Sequence, residues 1–191
     1  MKNNVFYVLG EGSMKRLIWQ LTALFCVLTV VFSVLSVMYG NSVVTALAIT
    51  FATTLYHFVM RLSVGAVTPK CFKYNQFWFV EKSFEKKLYK FLKVKKWKKY
   101  MPSYNPASYI VDKNTDFELM ADNTCRNEVI HSVIAVLSYV PLLFSVWLGE
   151  FWVFFITSIV VSAFDMVFVI MQRYNRPRLV AYLTRHKGRD L

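Results

Sequence analysis

Hydrophobic residues are concentrated in four long stretches of the chain, at residues 17–39, 42–60, 131–148 and 151–171. Each stretch has about the 20 mostly apolar residues that a helix needs to cross a bilayer. A two-residue turn containing glycine separates the first stretch from the second, and another separates the third from the fourth. The pattern predicts an all-α integral membrane protein, with four transmembrane helices in two hairpins and a central segment between them.

Basic residues are distributed differently from the apolar ones. Of the 23 Lys and Arg residues, three precede the first stretch, fourteen lie between the second and third, six follow the fourth, and the hairpin turns contain none. Because cytoplasmic loops retain Lys and Arg, this predicts a multi-pass protein of the cell (inner) membrane with both termini cytoplasmic. The predicted organisation is a tail, a hairpin, an interfacial segment, a second hairpin and a basic tail, at residues 1–16, 17–61, 62–129, 130–172 and 173–191.

The central segment combines lysines with aromatic side chains. Over residues 81–100, apolar side chains recur at helical spacing with lysines between them: Phe84, Leu88, Phe91 and Leu92. This pattern predicts a basic amphipathic helix that lies in the headgroup plane of the cytoplasmic face. Pro102 and Pro106 are predicted to end that helix, and residues 112–123 to form a surface loop or a short helix.

The net charge of +12 raises the question of an anionic partner. Residues 93–100 form a basic run with embedded aromatics that includes Lys96 and Trp97. Such a run can bind nucleic acid by phosphate contacts and stacking, but no nucleic-acid fold signature accompanies it. Beside a bilayer, a basic surface favours membrane lipid or a phosphate-bearing ligand, so no nucleic-acid partner is expected.

The start of the third predicted span carries a possible acid–base pair. Glu128 and His131 are three residues apart and therefore share a helix face. A carboxylate beside an imidazole raises its basicity, which suits a general base acting on a hydroxyl. The alternative is an interfacial pair that caps and solvates a helix end. Because this spacing occurs once and the three cysteines form no CxxC motif, no metal site is predicted.

The end of the fourth predicted span carries a cluster of arginines. Arg173, Arg176 and Arg178 lie within six residues, with Asn175 between them, and Pro177 is predicted to break the helix at Arg176. Guanidinium groups near a helix end can bind phosphate or carboxylate through bidentate hydrogen bonds. The alternative is a stop-transfer cluster that binds anionic headgroups. Short turns make consecutive helices antiparallel neighbours, so this cluster is expected to meet the Glu128–His131 pair.

Three further polar residues fall within the apolar stretches or at their ends. His57 and Arg61 share one side of the second stretch near its cytoplasmic end, and Asp165 lies well inside the fourth. A carboxylate in lipid is costly, so Asp165 is expected to face the bundle interior with a partner or to be protonated. A structural pairing is as compatible with this position as a catalytic role.

Common catalytic motifs such as GxSxG, the Walker motif and GxGxxG are absent from the sequence. Three segments in order, FWFVEKSFEKKLYKFLKVKKWKKYMP, TCRNEVIHSVIAVLSYVPLLF and QRYNRPRL, instead resemble the glycosyl-4,4'-diaponeurosporenoate acyltransferases. The resemblance covers residues 69–183. It implies transfer of a fatty acyl group to a sugar hydroxyl of a membrane glycolipid, such as a carotenoid glucoside. The chain departs from the family in having a full hairpin before the central segment, which leaves the acceptor open.

The resemblance also implies roles for the polar clusters. His131, oriented by Glu128, would take the proton from the acceptor hydroxyl. The donor would be a cytoplasmic thioester, either acyl-CoA or an acyl carrier protein, with no bound cofactor. Donor binding and oxyanion stabilisation would fall to basic and amide residues: Arg126, Arg173, Asn175, Arg176, Arg178, Lys96 and Trp97. The alternative function is a non-enzymatic membrane subunit or lipid-binding scaffold, and no oligomeric state is predicted.

Overall fold

The computed structural model describes residues 13–101, 116–149 and 151–187. About 86% of these residues are helical and none forms a strand. Four helical segments are long and apolar enough to cross a membrane, at 16–39, 42–67, 117–148 and 151–185. The predicted fold class, an all-α protein with four candidate membrane spans, is confirmed.

The described residues form seven α-helices and two short 3-10 turns. In chain order the helices are α1 (Ser13–Tyr39), α2 (Ser42–Val67), α3 (Ser83–Phe91), α4 (Val94–Trp97), α5 (Phe117–Leu137), α6 (Val140–Leu148) and α7 (Phe151–Lys187). The 3-10 turns are Phe77–Phe79, before α3, and Lys98–Tyr100, after α4. By their internal contacts the residues divide into two compact units, Met1–Ala66 and Val67–Leu191.

The first unit contains α1 and nearly all of α2. Gly40, between the two helices, has a φ of 59°, a conformation that costs little only in glycine. The rings of Phe25 and Phe58 stack 5.6 Å apart, and Phe32 contacts Phe51 at 5.0 Å, so the two helices run antiparallel. Helix α2 continues seven residues beyond the predicted end of its apolar stretch.

The second unit is built on contacts between α7 and the pair α5 and α6. Phe117 stacks on Tyr182 near one end of the pairing, and His131 stacks on Phe168 further along, so α5 and α7 are antiparallel. Helix α5 begins at Phe117 because Asp116 caps it, accepting a hydrogen bond from the backbone N–H of Leu119. The predicted span therefore extends fourteen residues further towards the N-terminus.

Helix α7 corrects one prediction, because it passes through Pro177 and continues to Lys187. An interior proline removes one backbone hydrogen bond and costs about 3 kcal/mol or more. The side chains of Arg173 and Arg176, which precede Pro177, are anchored in ion pairs, and Arg178 Nη1, which follows it, donates to the carbonyl oxygen of Tyr174. The two ion pairs, which join α7 to α5, hold the turn that local sequence preference would open.

The central segment corrects a second prediction, because residues 81–100 do not form one continuous helix. Lys93 adopts a left-handed conformation, with φ 51° and ψ 38°, and separates α3 from α4. The break places Val94 in a small core with Tyr89 and Tyr174, and Trp97 Nε1 donates to the carbonyl oxygen of Leu92. The burial of Val94 and this side-chain hydrogen bond stabilise the left-handed conformation at Lys93. Pro102, Pro106 and residues 112–115 lie outside the described residues.

The exposed surface of this segment carries large apolar side chains beside its lysines. Its largest exposed side chains are aromatic: Phe77, Trp78, Phe84 and Phe91, with Phe91 at 81% exposure. The opposite face of α3 buries Glu85 and Tyr89 against the rest of the second unit. Of the predicted apolar stripe, Phe84, Leu88 and Phe91 therefore stay exposed, whereas Leu92 packs against the small core. Glu85 and Tyr89, beside the stripe, make the other internal contacts of α3.

Candidate functional site

A buried ladder of charges joins α3, α5 and α7. Arg173 donates from Nε and Nη2 to Glu85 Oε1, at 3.2 and 2.6 Å, and from Nη1 to Glu128 Oε1 at 2.6 Å. Arg176 Nη2 donates to Glu128 Oε2 at 2.5 Å. We call Glu85, Arg173, Glu128 and Arg176 the charge ladder. Its two carboxylates and two guanidinium groups balance, and Arg176 is only 2% exposed.

Further hydrogen bonds complete the ladder at both ends. The Tyr89 hydroxyl donates to Glu85 Oε2 at 2.6 Å, so all four carboxylate oxygens are engaged. Arg176 donates from Nε to Thr124 Oγ1 at 3.0 Å and from Nη1 to the carbonyl oxygen of Phe79 at 2.9 Å, with its guanidinium over the Phe79 ring. The ladder therefore fixes the aromatic 3-10 turn and α3 onto α5 and α7.

The electrostatics of the ladder favour its charged state. Burial alone would raise the pKa of Glu85, but hydrogen bonds from Arg173 and Tyr89 outweigh it and hold that pKa below its ordinary value. Burial, together with the hydrogen bond to Glu85, raises the pKa of Tyr89 far above its usual range. Glu85 thus remains ionised near neutral pH and Tyr89 remains a hydrogen-bond donor.

His131 lies outside the charge ladder and pairs with a different carboxylate. Its Nδ1 is 3.0 Å from Asp165 Oδ1, and its ring stacks on Phe168 with the centroids 4.7 Å apart and the planes 10° from parallel. Asp165 is 1% exposed, whereas the His131 side chain is 25% exposed. This corrects the predicted orientation of His131 by Glu128, because Arg173 and Arg176 occupy both oxygens of Glu128.

The arrangement gives His131 one engaged and one accessible nitrogen. With Nδ1 directed at a carboxylate, Nε2 has no hydrogen-bonding partner among the described residues. An imidazole held in this way has a fixed ring orientation and a defined tautomer, the arrangement that suits proton transfer at Nε2. Asp165 therefore has the partner that its position in an apolar helix predicted.

The predicted donor-binding residues fall into separate groups. Arg173 and Arg176 face inward to carboxylates, and Arg126 donates from Nε and Nη2 to the carbonyl oxygen of Thr68. Asn175 Oδ1 accepts from Lys98 Nζ at 2.8 Å, and the Arg178 guanidinium lies 3.6 Å from the centroid of the Tyr174 ring. The structure does not gather these residues into one anion pocket.

The remaining predicted residues are dispersed. Lys96 is exposed, and Trp97 is half-buried through its hydrogen bond to Leu92. His57 is buried and Arg61 half-buried on α2, within the first unit. Within the described ranges, no group of three or more His, Cys, Asp or Glu side chains has the geometry to hold a metal ion.

Sequence reasoning missed Glu85, Tyr89 and Lys98. Glu85 and Tyr89 are four residues apart on α3, a spacing that places them on one face and is visible in the sequence. The apolar pattern of Phe84, Leu88 and Phe91 is the stronger signal in this segment, and it indicates a lipid-facing helix and not a buried polar pair. Nothing local distinguishes Lys98 from its neighbouring lysines, because its contacts lie 77 residues away on α7.

The fold and the site define the class of the molecule: an all-helical protein with four candidate membrane spans and a His–Asp pair beside a charge ladder. Residues 75–185 match the family model described as glycosyl-4,4'-diaponeurosporenoate acyltransferase, and since the match covers more than half of the chain, the chain belongs to that family. The predicted resemblance and the predicted enzyme class, an acyltransferase, are confirmed.

A curated relative supports the assignment. The chain is 28% identical over 151 residues to a protein of Staphylococcus haemolyticus (strain JCSC1435) named glycosyl-4,4'-diaponeurosporenoate acyltransferase, over 73% of this chain and 85% of the relative. No solved structure matches the chain. The family match includes α3, α5, α6 and most of α7, and therefore every residue of the charge ladder and of the His131–Asp165 pair.

Proposed function

We propose that the protein transfers a fatty acyl group from a cytoplasmic thioester donor to a sugar hydroxyl of a membrane glycolipid, such as a carotenoid glucoside. The relative's name specifies a glycosyl diaponeurosporenoate, which supports a carotenoid glycoside as the acceptor. The four apolar helices support an acceptor that reaches the site from within the bilayer. Family membership among acyltransferases disfavours the alternative of a non-enzymatic membrane subunit.

The contact between His131 Nδ1 and Asp165 Oδ1 carries this proposal. In the reaction, His131 Nε2 takes the proton from the sugar hydroxyl while the hydroxyl oxygen attacks the thioester carbonyl carbon. The carbon–sulfur bond then breaks, and the departing sulfur receives the proton from the imidazolium. Asp165 stabilises the imidazolium between these steps, the role that the sequence suggested for Glu128. The products are one ester and one free thiol.

The charge ladder has a supporting role in this proposal. It links the 3-10 turn and α3 to the part of α5 that carries His131, because Glu128 precedes His131 by one helical turn. The exposed aromatic side chains of that turn and of α3 would then sit in the headgroup layer, close to a membrane-embedded acceptor. The excess of Lys and Arg in the central segment supports a cytoplasmic position for this face in the cell membrane.

The first test replaces His131 by Gln, which preserves size and polarity but cannot act as a base. We expect acyl transfer to fall by a factor on the order of 100 to 10,000, the usual contribution of a general base, with little change in thermal unfolding. The assay would measure acylated glycoside by mass spectrometry, using purified protein in liposomes with a carotenoid glucoside and an acyl-CoA.

Asn127→Ala, about one turn before His131 in the middle of α5, provides a control for substitution on this helix. A folded His131→Gln protein that retains near-full transfer would exclude His131 as the base. Loss of transfer with a matching loss of stability would assign it a structural role instead.

A further inference from the structure

Two cations in the second unit lie together without a carboxylate. Lys98 Nζ is 4.8 Å from the centroid of the Tyr174 ring, and the Arg178 guanidinium carbon is 3.6 Å from the same centroid. Their charges are therefore separated by no more than the sum of these two distances. In the part of the chain that the structure describes, neither forms an ion pair, whereas Arg173 and Arg176 are both paired with glutamates.

The pair is held in place by its surroundings. Tyr174 is buried, packs edge-on against Tyr89, and presents its ring to both cations. Asn175 Oδ1 accepts from Lys98 Nζ at 2.8 Å, which leaves the Asn175 amide group as a further donor. The hydrogen bond to Asn175 holds Lys98, and the ring of Tyr174 keeps both cations within 5 Å of one centroid despite their like charge.

This placement has an electrostatic cost that an anion would relieve. Burial, and after it the positive charge of Arg178, lowers the pKa of Lys98 below its ordinary value. Attraction of each cation to the aromatic ring acts against the repulsion between them. A bound group with negative charge would raise the pKa of Lys98 again and balance the charge of both side chains.

We propose that Lys98, Asn175 and Arg178 form a binding site for a phosphate group. Arg178 supplies a planar fork of N–H donors, Lys98 a compact positive charge and Asn175 an amide donor, a set that matches the oxygens of a phosphate. Arg178 and Asn175 belong to the anion cluster that the sequence indicated. Lys98 is the additional residue, brought to them by the break at Lys93.

The site is separate from the His131–Asp165 pair. Tyr174 follows Asp165 by nine residues, which places it about 14 Å further along α7 and on the opposite side of the helix. Its occupant therefore does not need to touch the reacting atoms. Two sources carry suitable phosphate: a soluble acyl donor built on coenzyme A, and the headgroup of an anionic phospholipid. Only the first source rests on the proposed function.

The test uses the full chain in a phosphate-free detergent and two probes. Coenzyme A is titrated by calorimetry, and phosphatidylglycerol is added to the micelles and its retention measured by native mass spectrometry. The test variant is Lys98→Ala/Arg178→Ala. The matched control is Lys87→Ala/Lys95→Ala, which removes the same net charge from exposed positions. For the source that uses the site, we expect the test variant to lose at least about tenfold in affinity, and the control to lose much less.

Each outcome has a defined meaning. A selective loss of coenzyme A binding identifies the donor phosphate as the occupant, and a selective loss of phosphatidylglycerol identifies a lipid headgroup. The second result would stand even if the proposed acyl transfer failed. Equal losses in the test and control variants, unchanged binding of both probes, or no binding by the wild type would overturn the site. Should the alanine variant unfold, Lys98→Gln/Arg178→Gln keeps the side-chain bulk and is judged by the same outcomes.

Discussion

The charge ladder and the His131–Asp165 pair are adjacent along α5 and α7 but are completed in different ways. In the ladder, all four carboxylate oxygens accept hydrogen bonds from Arg173, Arg176 or Tyr89. In the pair, one imidazole nitrogen meets a buried carboxylate and the other has no partner among the described residues. A polar network whose acceptors are all satisfied stabilises an arrangement, whereas a basic atom left accessible can exchange a proton.

Because of this difference, the carboxylates of Glu128 and Asp165 are expected to have different roles. Glu128 is one helical turn before it in sequence, but its charge is used by Arg173 and Arg176. Asp165 is 34 residues away in sequence, and its oxygen lies 3.0 Å from the imidazole. Substitutions at Glu128 are therefore expected to change stability first, and substitutions at Asp165 to change catalysis first.

The largest expected effect is on the stability of the Glu128→Ala variant. This change leaves Arg176, which is 2% exposed, without its carboxylate, and breaking a buried ion pair from one side costs about 3–5 kcal/mol. The free energy of unfolding in denaturant, measured on the detergent-solubilised protein, would record the loss.

Glu118→Ala is a matched control, because Glu118 is an exposed glutamate in the first turn of the same helix. Its loss should stay below about 1 kcal/mol. If Glu128→Ala kept wild-type stability but lost acyl transfer, Glu128 would have the catalytic role that the sequence suggested.

The Asp165→Asn variant is expected to show the reverse pattern. The amide preserves the shape of the carboxylate but not the charge that stabilises a protonated His131. We expect kcat to fall by a factor on the order of 100, with a small change in unfolding temperature. Steady-state acyl transfer, measured at several acceptor concentrations, separates kcat from KM.

A suitable control is Ser162→Ala, a buried position about one turn earlier on α7. It tests whether any polar substitution on this helix reduces transfer. Equal activity of Asp165→Asn and the wild type would remove Asp165 from the mechanism and leave His131 without an orienting group.

The sequence predicts the four spans and the meeting of the two polar clusters, because these depend on long apolar runs and on short turns. Glu128 and Arg173 do meet, with 2.6 Å between Oε1 and Nη1. The sequence does not predict which carboxylate serves His131. Spacing along one helix defines a shared face, but the partner on that face depends on the register of α5 against α7.

The same limit explains the two errors in helix boundaries. The predictions at Pro177 and around Lys93 rest on local preferences, which are worth a few kcal/mol at most. In the structure, Arg176 is anchored by contacts with Glu128, Thr124 and Phe79, and Val94 is fully buried. Contacts between residues far apart in sequence outweigh such preferences, and their pattern is not visible in any single segment.

The smallest expected effect concerns the acid sensitivity of the charge ladder. The folded-state pKa of Glu85 lies below its ordinary value of 4.5, because the hydrogen bonds from Arg173 and Tyr89 outweigh burial. A carboxylate with a lowered folded pKa contributes stability in full above its unfolded pKa and loses that contribution as the pH falls through the folded pKa. Wild-type stability should therefore decline below about pH 4.5. In that range Glu85 binds a proton in the unfolded chain but not yet in the folded protein, which favours unfolding.

Replacing Glu85 by Gln tests this origin directly. The variant should be less stable than the wild type at neutral pH, and the difference between the two should narrow as the pH falls below 4.5. Unfolding temperatures measured from pH 7 to pH 3 would show the convergence. Glu81→Gln is the matched control, since Glu81 forms its ion pair with the exposed Lys86, at 3.7 Å, and its removal should leave the acid limb unchanged. A constant difference in unfolding temperature between Glu85→Gln and the wild type at every pH would mean that Glu85 contributes to stability by packing and not by its charge.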